Sequence, residues 1–243
     1  MDLPVSLTTL EYPGRLIIIG ATGEAGTTVV LYAITGRSPS SQARKLVLRD
    51  GGIWVQPTDE ETLKTGNVDL LVYPAVLIAN GGIAVSNGKQ TADVRDRLRP
   101  GGDPVSALSS ALAGWDYEPD APIFTPRISG CLTGNAAGLS VVRRGPSGET
   151  LRNYFEVGPR AGEGRLVSTY EGPNADPLPV FRGEPRFVRL AGTTAGEAAE
   201  AIYRDLAPPA GSKDFRVAVA CLFAGLDAPV KADIHIINRH ERT

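Results

Sequence analysis

The chain has 243 residues, of which 42% are hydrophobic, and a formal net charge of -2. That is ample core for one large domain or two small ones, and with Lys and Arg spread along the chain no basic stripe marks a nucleic-acid partner. No stretch approaches the ~18 apolar residues of a membrane span and the N-terminus lacks a basic segment followed by an apolar run, so the chain reads as cytoplasmic, neither exported nor membrane-inserted.

In chain order, the dominant texture is short β-branched runs separated by glycine, asparagine and proline. Residues 15–19, 27–34, 45–49, 69–73 and 82–85 are predicted strands, so the first half is mostly sheet. Thr91 to Leu98 is a predicted helix. Asp103-Pro104 offers an N-cap and a first-turn proline to a second helix over Val105–Ala113. Strands return at 127–132, 138–143, 154–157 and 165–170. A helix over 195–206 and an apolar run over 215–223 follow. The pattern is α+β, rich in antiparallel pairing, with helices covering a sheet face. Gly172 to Pro185, rich in proline and polar residues, reads as a long surface loop rather than a domain boundary, so 1–243 is taken as a single domain. Cys131 and Cys221 have no metal-ligand spacing and read as buried, reduced thiols.

Ile19-Gly20-Ala21-Thr22-Gly23-Glu24-Ala25-Gly26 directly follows an apolar strand and looks like a nicotinamide-binding fingerprint. Such a turn must open a helix whose amides receive the pyrophosphate. Here the following residues are Thr-Thr-Val-Val-Leu-Tyr-Ala-Ile, which favour a second strand because β-branched side chains lose χ1 freedom in a helix. A hairpin is the preferred reading. An NAD(P)-dependent reductase using Gly20, Gly23 and Gly26 is the alternative.

The richest chemistry lies in Asp116-Tyr117-Glu118-Pro119-Asp120 and Thr125-Pro126-Arg127-Ile128, which join acids, a phenol and a guanidinium where a strand should begin. Taken with Tyr12-Pro13-Gly14-Arg15, Gly36-Arg37-Ser38 and Arg44, Tyr73, Ser86-Asn87-Gly88 with Thr91, and Ser168-Thr169-Tyr170-Glu171, this segment resembles the archaeal-type IMP cyclohydrolases. The pieces stand in the family's order from about 12 to 130, and the match thins after 140.

The resemblance implies a four-layer αββα sandwich like that of the N-terminal-nucleophile hydrolases, without their catalytic device; Met1-Asp2 provides no terminal nucleophile. The implied reaction closes 5-formamidoimidazole-4-carboxamide ribonucleotide to inosine monophosphate with loss of water, a cyclohydrolase activity on C–N bonds of a cyclic amidine. The implied partner is this small purine nucleotide, with no metal, nicotinamide or folate cofactor. A homo-oligomer is compatible with the sequence, and a non-catalytic purine-nucleotide binder is a further alternative.

By motif position the catalytic candidates are Tyr73, Glu118 and Arg44. A phenol can donate to an oxygen gaining charge, a carboxylate can accept the amide proton, and a guanidinium can steady an oxyanion. Arg37 and Arg127 are candidates for the nucleotide's phosphate and base-side contacts, and Ser38, Asn87, Asp116 and Thr125 for further substrate contacts. Arg127 could instead pair with Asp116 or Asp120 and pin the loop. Asn87-Gly88 could be an ordinary turn. The chain departs from the family pattern at Pro74-Ala75, at Gln90-Thr91-Ala92 and at Phe124, where polar contacts are expected to be lost. His235 and His240 are read as structural.

Overall fold

The computed structural model describes residues 3–23, 27–59, 72–225 and 228–242. Thirteen strands are found among them. The first sheet contains β1 (Arg15–Ala21), β2 (Thr27–Thr35), β10 (Glu163–Ser168), β11 (Arg186–Arg189), β12 (Arg216–Gly225) and β13 (Ala228–Asn238), in the order β11-β10-β1-β2-β12-β13. The second runs in simple sequence order through β3 (Arg44–Arg49), β4 (Gly52–Pro57), β5 (Tyr73–Ala79), β6 (Gly82–Ser86), β7 (Arg127–Thr133), β8 (Ala136–Arg144) and β9 (Thr150–Glu156). Every adjacent pair within the two sheets is antiparallel.

The helices are a short turn α1 (Pro39–Gln42), α2 (Thr91–Arg97), α3 (Pro104–Leu112) and α4 (Ala195–Asp205). Alternation along β1 explains the layering. Ile17 and Ile19 face a core shared with Leu46, Ile53, Val55 and Ile83 of the second sheet, whereas Leu16 and Ile18 face Ala198, Ala199 and Ile202 of α4. On the far side of the second sheet, Ala84, Cys131 and Val142 pack against Val94 of α2 and Leu108 and Leu112 of α3. Helix, sheet, sheet and helices therefore stack in that order. Strands buried on both faces account for apolar runs without polar alternation.

Asp103 caps α3 by accepting from Ser106 N at 2.7 Å, with Pro104 in its first turn. Thr194 caps α4 by accepting from Glu197 N at 3.2 Å. No helix among the described residues is long and apolar enough to cross a membrane. Both cysteines are free and buried, and burial pushes the Cys131 thiol up to about 12 and the Cys221 thiol higher still.

Several expectations require correction. The predicted strand over 69–73 begins only at Tyr73 and continues to Ala79, Val72 precedes it, and Asp69 to Leu71 lie outside the described residues. Pro74 is accommodated because it pairs with Trp54 beside a register shift, where a missing N–H interrupts the ladder least. β4, β11 and β13 are strands beyond those expected. The 172–185 segment contains no helix or named strand, but it is not merely a surface loop: Leu178 and Phe181 are buried, and Phe181 N donates to Thr169 O at 3.1 Å.

The glycine-rich reading is decided by β2, which pairs antiparallel with β1 from Arg15↔Ile34 to Ala21↔Thr28. A strand follows the glycines, so the helix N-terminus that a dinucleotide site requires is not there. Residues 24–26 of the connection lie outside the described set.

Candidate active site

One end of the two sheets gathers most of the residues singled out above. Arg15 opens β1, Arg44 opens β3, Tyr73 opens β5 and Arg127 opens β7, while Asn87 follows β6 and Thr169-Tyr170 follows β10. Arg15 shares its strand face with Ile17 and Ile19, so its side chain enters the layer between the sheets. Tyr32 and Tyr73 enter the same layer from β2 and β5.

Glu118 is the hub, only 2% exposed. One amino group of Arg15 donates to both carboxylate oxygens, at 2.8 and 3.0 Å, and Asn87 Nδ2 donates to Oε1 at 3.0 Å. The acid is anchored through its backbone, whose N–H donates to Thr125 O at 2.9 Å. Burial pushes the Glu118 carboxyl above its ordinary range, outweighing the pull of Arg15 and Arg127. Arg15 Nε is buried with no acceptor.

Asn87 is no simple turn residue. Its Nδ2 also donates to Pro126 O at 3.0 Å, and its Oδ1 accepts from Ile128 N at 2.9 Å and Gln90 Nε2 at 3.0 Å. Gln90 in turn accepts from Arg127 at 3.3 Å, so this position keeps polar contacts that the departure from the family pattern was expected to lose. Arg127 pins its loop through the Asp116 carbonyl, 2.8 Å from Nε, rather than through the carboxylate of Asp116 or Asp120, and lies over the Trp115 ring. Thr125 donates to Asp120 and shares a 2.9 Å hydrogen bond with Tyr170 OH, and its N–H donates to Asp120 at 2.7 Å.

The Tyr73 and Tyr32 hydroxyls lie 2.9 Å apart, both fully buried. Burial, reinforced by Tyr73, holds the Tyr32 phenol well above its ordinary range. Tyr32 therefore keeps its proton and can spend it on the Tyr73 oxygen, leaving the Tyr73 hydrogen to point elsewhere. Arg15 carries electrostatic interactions with Glu118, Tyr73, Tyr32 and Tyr170 alike, which puts the acid and the phenols in one electrostatic cluster. Buried Arg44 sits at its margin, acting on Tyr32, with its guanidinium donating to Ser41 O at 2.8 Å and Thr35 O at 3.3 Å.

Three candidates have side chains that make no hydrogen bond to this cluster. Arg37 is half-buried, donates to Ala175 O at 3.2 Å and lies 6.0 Å from the Tyr12 ring centre. Ser38 is the N-cap of α1. Asp116 is exposed and accepts from Thr150 and Arg152. His235 and His240 are exposed, in β13 and just beyond it. Among the described residues no group of three or more His, Cys, Asp or Glu could hold a metal ion.

Arg15, Tyr32 and Tyr170 belong to the cluster without having been picked out individually from the sequence. The available signal was parity: a lone arginine at an inward position of Arg-Leu-Ile-Ile-Ile must find a carboxylate between the sheets.

Fold and site together define a two-sheet α+β protein built around a buried polar cluster in which the Glu118 carboxylate, the Arg15 guanidinium and a pair of phenols meet. The chain belongs to the IMP cyclohydrolase-like protein family, whose model matches residues 12–224. It is similar to the IMP cyclohydrolase of Methanopyrus kandleri, 33% identical over 179 residues, covering 72% of this chain and 84% of that one. It is also similar to those of Halobacterium salinarum, 30% identical with coverage of 79% and 84%, and Methanothrix thermoacetophila, 29% identical with coverage of 69% and 78%.

Proposed function

We propose that this chain is an IMP cyclohydrolase that closes 5-formamidoimidazole-4-carboxamide ribonucleotide to inosine monophosphate. The observation that carries the reading is the buried Arg15, Glu118 and Asn87 network beside the Tyr32 and Tyr73 pair, in a chain whose family match spans 12–224.

In the reaction the carboxamide nitrogen bonds to the formyl carbon and gives up one proton. The formyl oxygen then leaves as water, taking a second proton from the formamide nitrogen. Because nucleophile and electrophile share one molecule, the protein must select the folded-back rotamer and move protons. Glu118, a stronger base than an ordinary carboxylate because burial raises its pKa, accepts the amide proton. Tyr73, backed by Tyr32, donates to the formyl oxygen as it gains charge. Arg15 holds Glu118, and Arg44 supports the tyrosine side of the cluster. In the same reading Arg127, Asn87 and Thr125 line the base and ribose, Arg37 and Ser38 lie toward the phosphate, and Asp116 braces Arg127.

The stacking of helix, sheet, sheet and helices supports assignment to the N-terminal-nucleophile hydrolase-like fold over 1–243. Purine synthesis and buried, reduced thiols support a cytoplasmic setting. The deciding assay incubates purified protein with the formamido nucleotide and follows hypoxanthine absorbance. A rate no greater than the no-enzyme control rejects the proposal, and stabilisation by IMP without turnover would leave a nucleotide binder instead.

A further inference from the structure

A cavity of about 660 Å3 lies between the 120–125 turn, the β8 to β9 connection and the 172–185 segment. None of Arg15, Tyr73, Asn87, Glu118 or Thr125 lines it. Its inner wall includes Ile123, Leu178 and Val180, which pack with Tyr12 and Tyr170 and so separate the cavity from the acid/base cluster.

The cavity is positively charged. Arg143, Arg144 and Arg182 line it, against one acid, Glu171. That acid is already paired with Arg186 and accepts from Arg182 N at 2.9 Å. Glu149, on the neighbouring turn, accepts from Ser147 N at 2.9 Å. Among the described residues none of the three lining guanidiniums forms an ion pair, and Arg143 Nε is buried with no acceptor. Arg144 lies 4.5 Å from the Phe124 ring centre, so its planar fork is held against an aromatic face. Guanidiniums that line one cavity without counter-ions repel one another, and the fork matches phosphate oxygens two at a time. The remaining lining is largely apolar and rich in proline, and small-molecule sites commonly span ~300–1,000 Å3.

We propose that this cavity is a second binding site, separate from the reaction centre, for a nucleoside phosphate: the guanidiniums take the phosphate and the apolar wall takes the flat base. The inference stands independently of the cyclohydrolase reading, since it rests on a cavity lined by none of the residues given a part in that reaction.

Titration calorimetry with ADP on the full chain tests it. Arg144 and Arg182 are exposed, so their alanine variants leave the core intact, which an unchanged melting temperature of the free protein verifies. ADP should bind the wild type, and Arg144→Ala/Arg182→Ala should weaken it by at least about tenfold through loss of charge-assisted contacts. The charge reversal Arg182→Glu should weaken it as well. Turnover of the formamido nucleotide should keep its kcat/KM. Absence of ADP binding, or equal affinity in the variants, would overturn the proposal. So would a parallel fall in kcat/KM, which would assign these guanidiniums to the substrate. A chain with no turnover at all would sink the cyclohydrolase reading while leaving the ADP measurements intact.

Discussion

A carboxylate that is almost fully buried yet touches a guanidinium is governed by two opposed effects, and at Glu118 desolvation prevails over Arg15. An acid whose folded pKa lies above its unfolded value binds its proton more tightly in the folded state. Its contribution to stability is therefore greatest at pH below the unfolded value and declines as pH rises through the folded one. Catalysis needs the opposite form, so the acid limb of kcat should lie above the ordinary carboxylate range. A pH profile of Glu118→Gln should have lost that limb along with roughly 10²–10⁴-fold in kcat. Tyr73→Phe should lower turnover by ~10²-fold while leaving IMP affinity almost unchanged; equal turnover would remove the phenol from the mechanism. Arg15→Ala strands a buried acid, and urea denaturation should register a loss of about 3–5 kcal/mol.

At the scale of elements, strand ends do the positioning. Gly14 adopts φ +76° immediately before β1, and a Cβ there would overlap Thr169 Oγ1 and the Tyr170 ring. The same approach lets Arg15 N donate to Thr169 at 3.1 Å, so the entry to β1 and the exit from β10 form one support for the Arg15 side chain. Gly14→Ala should cost roughly 1–3 kcal/mol in denaturation through overpacking and should also lower kcat, although residue 14 touches neither Glu118 nor Tyr73 in any hydrogen bond. Most of these elements were legible from period and punctuation. The Asp103-Pro104 start of α3 and the β-branched run of β2 are local signals. β13 carries the alternation of a half-buried strand over Lys231 to His235, but the run is short, charged and poor in β-branched residues, so it stands out less than the apolar runs of the buried strands. Phe181 was hidden in a proline-rich stretch whose burial depends on the Thr169 backbone it meets.

For the whole molecule, two sheets pressed face to face share one end at which strand ends and loops from both meet. Charges and hydroxyls there are buried by the opposite sheet rather than by their own, which desolvates a polar cluster whose members bond chiefly to one another, Arg15 Nε alone among the cluster's described, fully buried side-chain nitrogens and oxygens being left without an acceptor. Because folding assembles the cluster, a ligand held by it should stabilise the whole chain. IMP at about 100 times its dissociation constant should add ~2.7 kcal/mol and raise the melting temperature, while NADPH should not. By itself the sequence determined the antiparallel α+β character, the Asp103 cap of α3, the hairpin after Gly20 and the ordered motif pieces of the family, since each is set by local conformational preference or residue type. Only the tertiary structure decided that Arg15 meets Glu118 across 103 positions and that Tyr32 meets Tyr73 across 41. Those pairings depend on how one sheet is laid over the other, and a periodicity of two tells which face a side chain occupies but not what lies opposite it.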